Sequence, residues 1–325
     1  MRILLMAVAA VLAIAGTAAA QVAAPSLNPT PTLSLAPISS PNLIFIPAPA
    51  NPAVLPWDGP SRIGAAYGTN KLTDVAGIPV DPVAKGKATG VLAEGVGEMF
   101  AAAVQVNSVN QDINPAFVTG SLETKVQRIG LAVQFGKRIS VGIGSESVEN
   151  KDTSVGSDFE EAAVMGGVTV RLGEVIYLGA AGGTATVEDK VSMEQVKRNV
   201  TQYGVAYLWR DKERGAHVEV YHAQRPAKRF PSTVGAAAAN DINGFTVEVM
   251  FARLLLGYSA QTDKSKDDVG APLEKNSVST VTLGYDMAPG WAFVLSKYDG
   301  KSDDAAAGTT NFKTSGTNLG VAYQF

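Results

Sequence analysis

Residues 198–225 read RNVTQYGVAYLWRDKERGAHVEVYHAQR. Two runs of alternating character flank a short polar break at Lys212-Glu213. Alternation with period two marks a strand with two different faces. In the first run Tyr203, Val205, Tyr207 and Trp209 share one face. Arg198, Gln202, Gly204, Ala206 and Arg210 share the other, where Leu208 is the single apolar intruder. In the second run His217, Glu219 and Tyr221 share a face, and His222 falls opposite His217. The wide side chains are apolar and the opposing face is small or charged. A soluble sandwich needs the reverse, a core packed with large apolar residues. In lipid every backbone group must find its partner inside the protein, so strands can span only as a closed barrel.

The same texture runs outward in both directions. Strands are expected near 61–68, 86–93, 98–107, 122–135, 138–148, 160–172, 175–187, 197–211, 214–225, 242–252, 254–263, 275–287, 290–300 and 314–325. The pattern predicts an all-β chain, a transmembrane antiparallel up-and-down β-barrel of about 14 strands, with 12 or 16 as alternatives. Connections alternate in length. They are short at Gly136-Lys137, Gly173-Glu174, Lys212-Glu213, Arg253 and Ala288-Pro289. They are long at 149–159, 188–196, 226–241, 264–274 and 301–313. An outer-membrane barrel sorts its loops this way, short turns in the periplasm and longer loops outside. Both ends of the barrel are therefore expected on the periplasmic side.

Composition narrows the function classes. The chain has 325 residues, a net charge of −3, no Cys and two His. Without Cys there is no disulfide framework, thiolate metal site or Cys nucleophile. No metal site and no cofactor are expected, and the charge gives no footprint for nucleic acid. Met1–Ala20 has a basic start, an apolar run and small residues before Gln21, the order of a cleaved export signal (1–20). No later stretch offers 18 apolar residues in a row, so no transmembrane helix is expected. Ten of the 17 prolines fall in 21–60, which predicts an extended arm or linker. That arm is either a spacer or a segment that enters the barrel or docks a partner, with Leu43–Ile46 as its apolar patch. The barrel itself is expected over 61–325.

The chain ends Asn318-Leu319-Gly320-Val321-Ala322-Tyr323-Gln324-Phe325. Asn318, Gly320, Tyr323 and Phe325 match a polar residue, a Gly and two aromatics at fixed spacing. This resembles the C-terminal assembly signal of Gram-negative outer-membrane barrels of the porin type. The resemblance implies an outer-membrane location and recognition by the barrel assembly machinery. It also implies contact with outer-membrane lipid and lipopolysaccharide, and a possible homo-oligomer. Phe135, Tyr207, Trp209, Phe251, Tyr285, Trp291 and Phe293 fall near the short turns, as an interfacial aromatic girdle would.

The functional expectation is a passive diffusion channel for small hydrophilic solutes or ions, with a water-filled lumen. Arg128, Arg171, Arg198, Arg210, His217, Glu219, Arg225 and Glu248 are the candidate pore-lining residues. The alternative is a non-transporting barrel that anchors the envelope or presents loops to a partner. No enzyme is expected: His217 and Glu219 are read as lumen-lining polar groups rather than a general-base fragment. Gly179–Gly183 lacks the Lys-Ser/Thr of a phosphate loop. Glu149, Asp158, Glu160, Glu161 and Asp263 are read among solvated loop acids.

Overall fold

The computed structural model describes residues 51–325 except 58–60, 76–77, 114–119, 154–155, 212, 227, 230–235, 238, 267–271, 288–289 and 305–309. The expected signal at 1–20 and the patch Leu43–Ile46 lie outside the described residues. After a 3-10 turn (Pro52–Trp57) come β1 (Arg62–Val75), β2 (Ile78–Val96), β3 (Phe100–Ile113) and β4 (Ser121–Phe135). Then follow β5 (Ile139–Asp152), β6 (Ser157–Leu172), β7 (Ile176–Asp189), β8 (Glu194–Arg210) and β9 (Arg214–Arg225). A two-residue ladder joins β10 (Lys228–Arg229) to β11 (Ala236–Ala237) within the 226–241 connection. The chain closes with β12 (Ala239–Phe251), β13 (Leu254–Lys266), β14 (Pro272–Met287), β15 (Trp291–Asp304) and β16 (Thr310–Gln324).

All strands except β10 and β11 form one closed antiparallel barrel of 14 strands. Each pairs with its neighbours in sequence, and the seam closes between β1 and β16 from Arg62↔Gln324 to Val75↔Phe312. The backbone N–H of Phe325 donates to the Ser61 carbonyl at 2.9 Å, so both ends of the barrel sit on the short-turn rim. The tight turns on that rim have left-handed residues: Gly136, Gly173 and Gly290, and also Ala252 and Arg253 with φ of 49° and 67°. The last two take a conformation that non-glycine residues adopt at a cost.

Each expected strand corresponds to one barrel strand, but the observed ladders run further at the far rim. β2 covers Ile78–Val96 where the alternation supports only 86–93. The expected loops at 149–159 and 188–196 are mostly ladder, through Asp152↔Ser157 and Asp189↔Glu194. There both faces are polar, so the period-two contrast fades while the backbone pairing persists.

The outer face has an apolar belt beside the short-turn rim. Phe251, Val249, Val247 and Phe245 on β12 and Leu254, Leu256 and Tyr258 on β13 are exposed. From Phe251 to Phe245 the belt rises about 15 Å along the barrel axis, for a strand tilt of about 40°. All seven expected girdle aromatics are exposed on this belt. Tyr203, Tyr67, Phe245 and Tyr258 mark its upper edge, a second aromatic border that the sequence reading missed.

Candidate functional site

The inner face carries the polar chemistry. Arg128 on β4 stands directly opposite Glu146 on β5 and donates through Nε to Glu146 Oε2. Arg225 on β9 reaches past β8 and β7. Its Nη2 lies 3.3 Å from Glu146 Oε1 and its Nη1 2.8 Å from Glu161 Oε1. Arg198 Nη2 lies 2.6 Å from the other Glu161 oxygen. Three guanidinia and two carboxylates thus form one chain across the interior, every member nearly or fully buried. Charges this deep in a protein persist only when paired. Glu161, expected as a loop acid, is a central member because the β5–β6 ladder extends beyond it.

A second pair joins β9 to β12: His217 Nδ1 lies 3.0 Å from Glu248 Oε2, and the two residues are in direct register. Glu219, also buried, is two residues along from His217. Asp263, another expected loop acid, is buried on β13 and accepts from Asn240 Nδ2 at 3.1 Å. Near the short-turn rim Arg62 donates to Glu94 at 2.9 Å. Sequence reasoning missed Arg62 and Glu94. Their spacing of 32 residues carries no local signal, and only the β1–β2 register, Arg62↔Glu94, brings them together.

Arg171 is half-buried near the short-turn rim, donating through Nε to the Glu174 carbonyl at 3.0 Å. Arg210 is exposed at the last position of β8. The other six candidate lining residues lie in the buried interior.

The 3-10 turn sits inside the barrel against β3, β4, β5, β6 and β7. Asn51–Trp57, the described end of the Pro-rich stretch, thus lies within the barrel. Asn51, Ala53, Val54 and Leu55 are fully or almost fully buried. Asn51 Nδ2 donates to the Val168 carbonyl at 3.2 Å and to Thr169 Oγ1 at 3.3 Å. Trp57 Nε1 donates to Ser140 Oγ at 2.7 Å, and Ser140 in turn donates to the Ala53 carbonyl. Arg171 lies over the Trp57 ring at 5.9 Å and the Tyr177 ring at 5.5 Å, within cation–π range. The wall that receives the turn is lined by glycine. A Cβ on Gly142 would lie 2.7 Å from the Ala53 nitrogen, and one on Gly130 2.9 Å from Leu55 Cδ1.

Among the described residues these interior charges pair with one another, and a cavity of about 20 Å³ lies between Leu55, Arg128 and Glu146. Among the described residues no cluster of three or more His, Asp or Glu is placed to hold a metal. On the outer side of β2 to β5, beside the short-turn rim, lies an apolar groove of about 1320 Å³. Phe100, Leu131, Val133, Val141, Ile143 and Phe325 line it.

No protein-family model matches this sequence, and no curated protein matches it. Solved structures do. The chain superposes on the CymD monoaromatic hydrocarbon channel with a TM-score of 0.54 at 11% identity, over 85% of this chain and 91% of that one. A deletion mutant of the TodX monoaromatic hydrocarbon channel gives 0.55 at 13% identity, covering 89% and 96%. A Pseudomonas aeruginosa FadL homologue gives 0.53 at 8% identity, covering 85% and 93%. At such identities the likeness is one of fold: this chain has the closed-barrel architecture of those channels.

Proposed function

We propose that the chain is an outer-membrane channel, closed at rest, that passes small apolar or amphipathic molecules. One observation carries the membrane reading. Large apolar side chains cover the outer face in a belt, while arginine, glutamate and histidine are buried inside the same closed barrel. The orientation follows the loop asymmetry, with the short-turn rim and both barrel ends in the periplasm. The first 20 residues are removed near Ala20/Gln21, and Asn318, Gly320, Tyr323 and Phe325 serve the assembly machinery. The paired interior and the 3-10 turn argue against a standing aqueous passage for hydrophilic solutes. The apolar groove on the lipid side and the solutes named for the CymD and TodX channels support an apolar cargo.

The same packed interior favours a second reading, a barrel that anchors the envelope and transports nothing. Purified protein in planar bilayers and proteoliposomes separates the readings. The channel reading expects little steady conductance, with toluene entering loaded vesicles faster than through protein-free ones. High steady conductance to salt would restore the hydrophilic pore. Insertion with neither conductance nor solute entry would leave the anchor.

A further inference from the structure

Among the described residues one arginine inside the barrel stands apart from the ion pairs. Arg62, Arg128, Arg198 and Arg225 each meet a glutamate. Arg171 on β6, near the short-turn rim, makes no ion pair among the described residues. Glu174 gives it only a backbone carbonyl, which accepts from Nε at 3.0 Å and from Nη2. The third guanidinium nitrogen in reach of a ligand, Nη1, has no partner. The register places no acid beside it. Arg171 stands opposite Tyr177 on β7, and the carbonyl of Arg138 accepts its backbone N–H at 2.7 Å. Arg138 and Arg210, both exposed at the same rim, are unpaired as well among the described residues. Asp211 is occupied by the backbone N–H groups of Glu213 and Arg214, at 2.9 and 2.7 Å.

The Arg171 guanidinium is held in place before any ligand arrives. It lies 5.9 Å from the centre of the Trp57 ring and 5.5 Å from that of Tyr177. The two rings meet edge to face, at 5.8 Å and 79°. Trp57 is itself fixed by its Nε1 donation to Ser140. A planar cation clamped by rings and a carbonyl loses little freedom on binding, so less of the interaction is spent on ordering it. Trp57 and Arg171 are both half-buried, which leaves the cluster within reach of the rim. A single unpaired cation suits a single negative charge, and the apolar surface it touches is aromatic on both sides.

We propose that this cluster binds a small aromatic carboxylate, with the carboxylate on Arg171 Nη1 and the ring against Trp57. Its role as a cargo site rests on the channel reading above: it names one amphipathic class of solute and puts its site at the periplasmic mouth. Charge-assisted hydrogen bonds to a carboxylate are the strong ones, and a flat ring packs on indole in a way that a saturated ring does not.

The test uses the full chain in detergent at about pH 8, where carboxylic acids are ionised. Calorimetry measures binding of benzoate and of cyclohexanecarboxylate. The proteins are wild type, Arg171→Gln, Arg171→Lys and a control, Arg214→Gln, whose guanidinium lies over Phe251 on the outer belt. Folding is checked by the heat-modifiable gel shift. Wild type and control should bind benzoate alike, and Arg171→Gln about tenfold more weakly or worse. Arg171→Lys should fall between them, because it keeps the charge and loses the fork; it carries the test if the Gln variant does not fold. Cyclohexanecarboxylate should bind wild type several-fold more weakly than benzoate. Equal benzoate affinity in wild type and the folded Arg171 variants overturns the site. Equal affinity for the two acids overturns the aromatic assignment, and displacement of benzoate by an equal concentration of chloride overturns carboxylate recognition. Toluene entry into vesicles carrying wild type or control checks the channel reading separately. Vesicles that admit no toluene, while benzoate still binds through Arg171, remove that reading and leave the site standing.

Discussion

The two inner walls of the barrel use glycine in opposite ways. On the β9 to β16 side two glycines lie under tyrosines of their own neighbours. Gly244 is in register with Tyr221, and Gly316 with Tyr298, and a Cβ at either would strike the ring within 2.5 Å. This is the familiar covering of a strand glycine by a cross-strand aromatic. On the β4 to β6 side no such ring covers Gly130 or Gly142. Their space is taken by Leu55, Ala53 and Pro52 of the 3-10 turn. One wall completes itself and the other is completed by a segment from before the first strand. A glycine in a strand therefore marks room, and its occupant is decided by what the fold brings there.

Arg225 ties the two walls together, so its loss should have the largest effect. Arg225→Ala leaves Glu146 and Glu161 each short of a partner, and should cost about 3–5 kcal/mol. A fall of the urea midpoint in detergent measures this; an unchanged midpoint would mean the walls are held independently. Gly142→Val addresses the completed wall alone. Its side chain needs the space of the Ala53 and Pro52 backbone. The turn should be displaced at a cost of about 1–3 kcal/mol. Conductance should rise and Trp57 emission should shift red, read in a variant whose other tryptophans are replaced. Unchanged emission would deny that the turn depends on this wall.

Trp57→Phe should be milder. It removes the Nε1 donor to Ser140 while keeping a ring near Arg171, a loss of about 0.5–1.5 kcal/mol. The corresponding loss should be absent when Trp291, exposed on the outer belt, is changed to Phe. The smallest effect lies outside both walls. Ala252→Asn with Arg253→Gly puts preferred residues into the left-handed turn and should add about 0.4–1 kcal/mol without altering conductance. Altered conductance in that variant would show that the rim turns, and not the walls, set the closed state.

Much of the barrel was readable in advance because its signal is local. Tyr203, Val205, Tyr207 and Trp209 alternate with small and charged residues, and that contrast recurs in the stretches that form the apolar outer belt. Where the outer face turns polar, as at Lys264 opposite Lys275, the contrast vanishes and the strands looked shorter than they are. The interior was legible only as a set of candidates. Arg128, Arg198 and Arg225 are recognisable as inward-facing from parity. Nothing in the chain order says that Arg225 meets a glutamate 79 residues away.

The sequence by itself determined that this chain folds as a barrel with an apolar outside. Periodicity and the order of short and long connections are properties of neighbouring residues. The tertiary structure alone decided which interior charges meet and what occupies the glycine wall. Closure brings β9 against the space of β5 and β6, and puts Asn51–Trp57 on a glycine wall that begins at Gly130. Those meetings are set by strand register and curvature around the whole circle, and no stretch of sequence contains them.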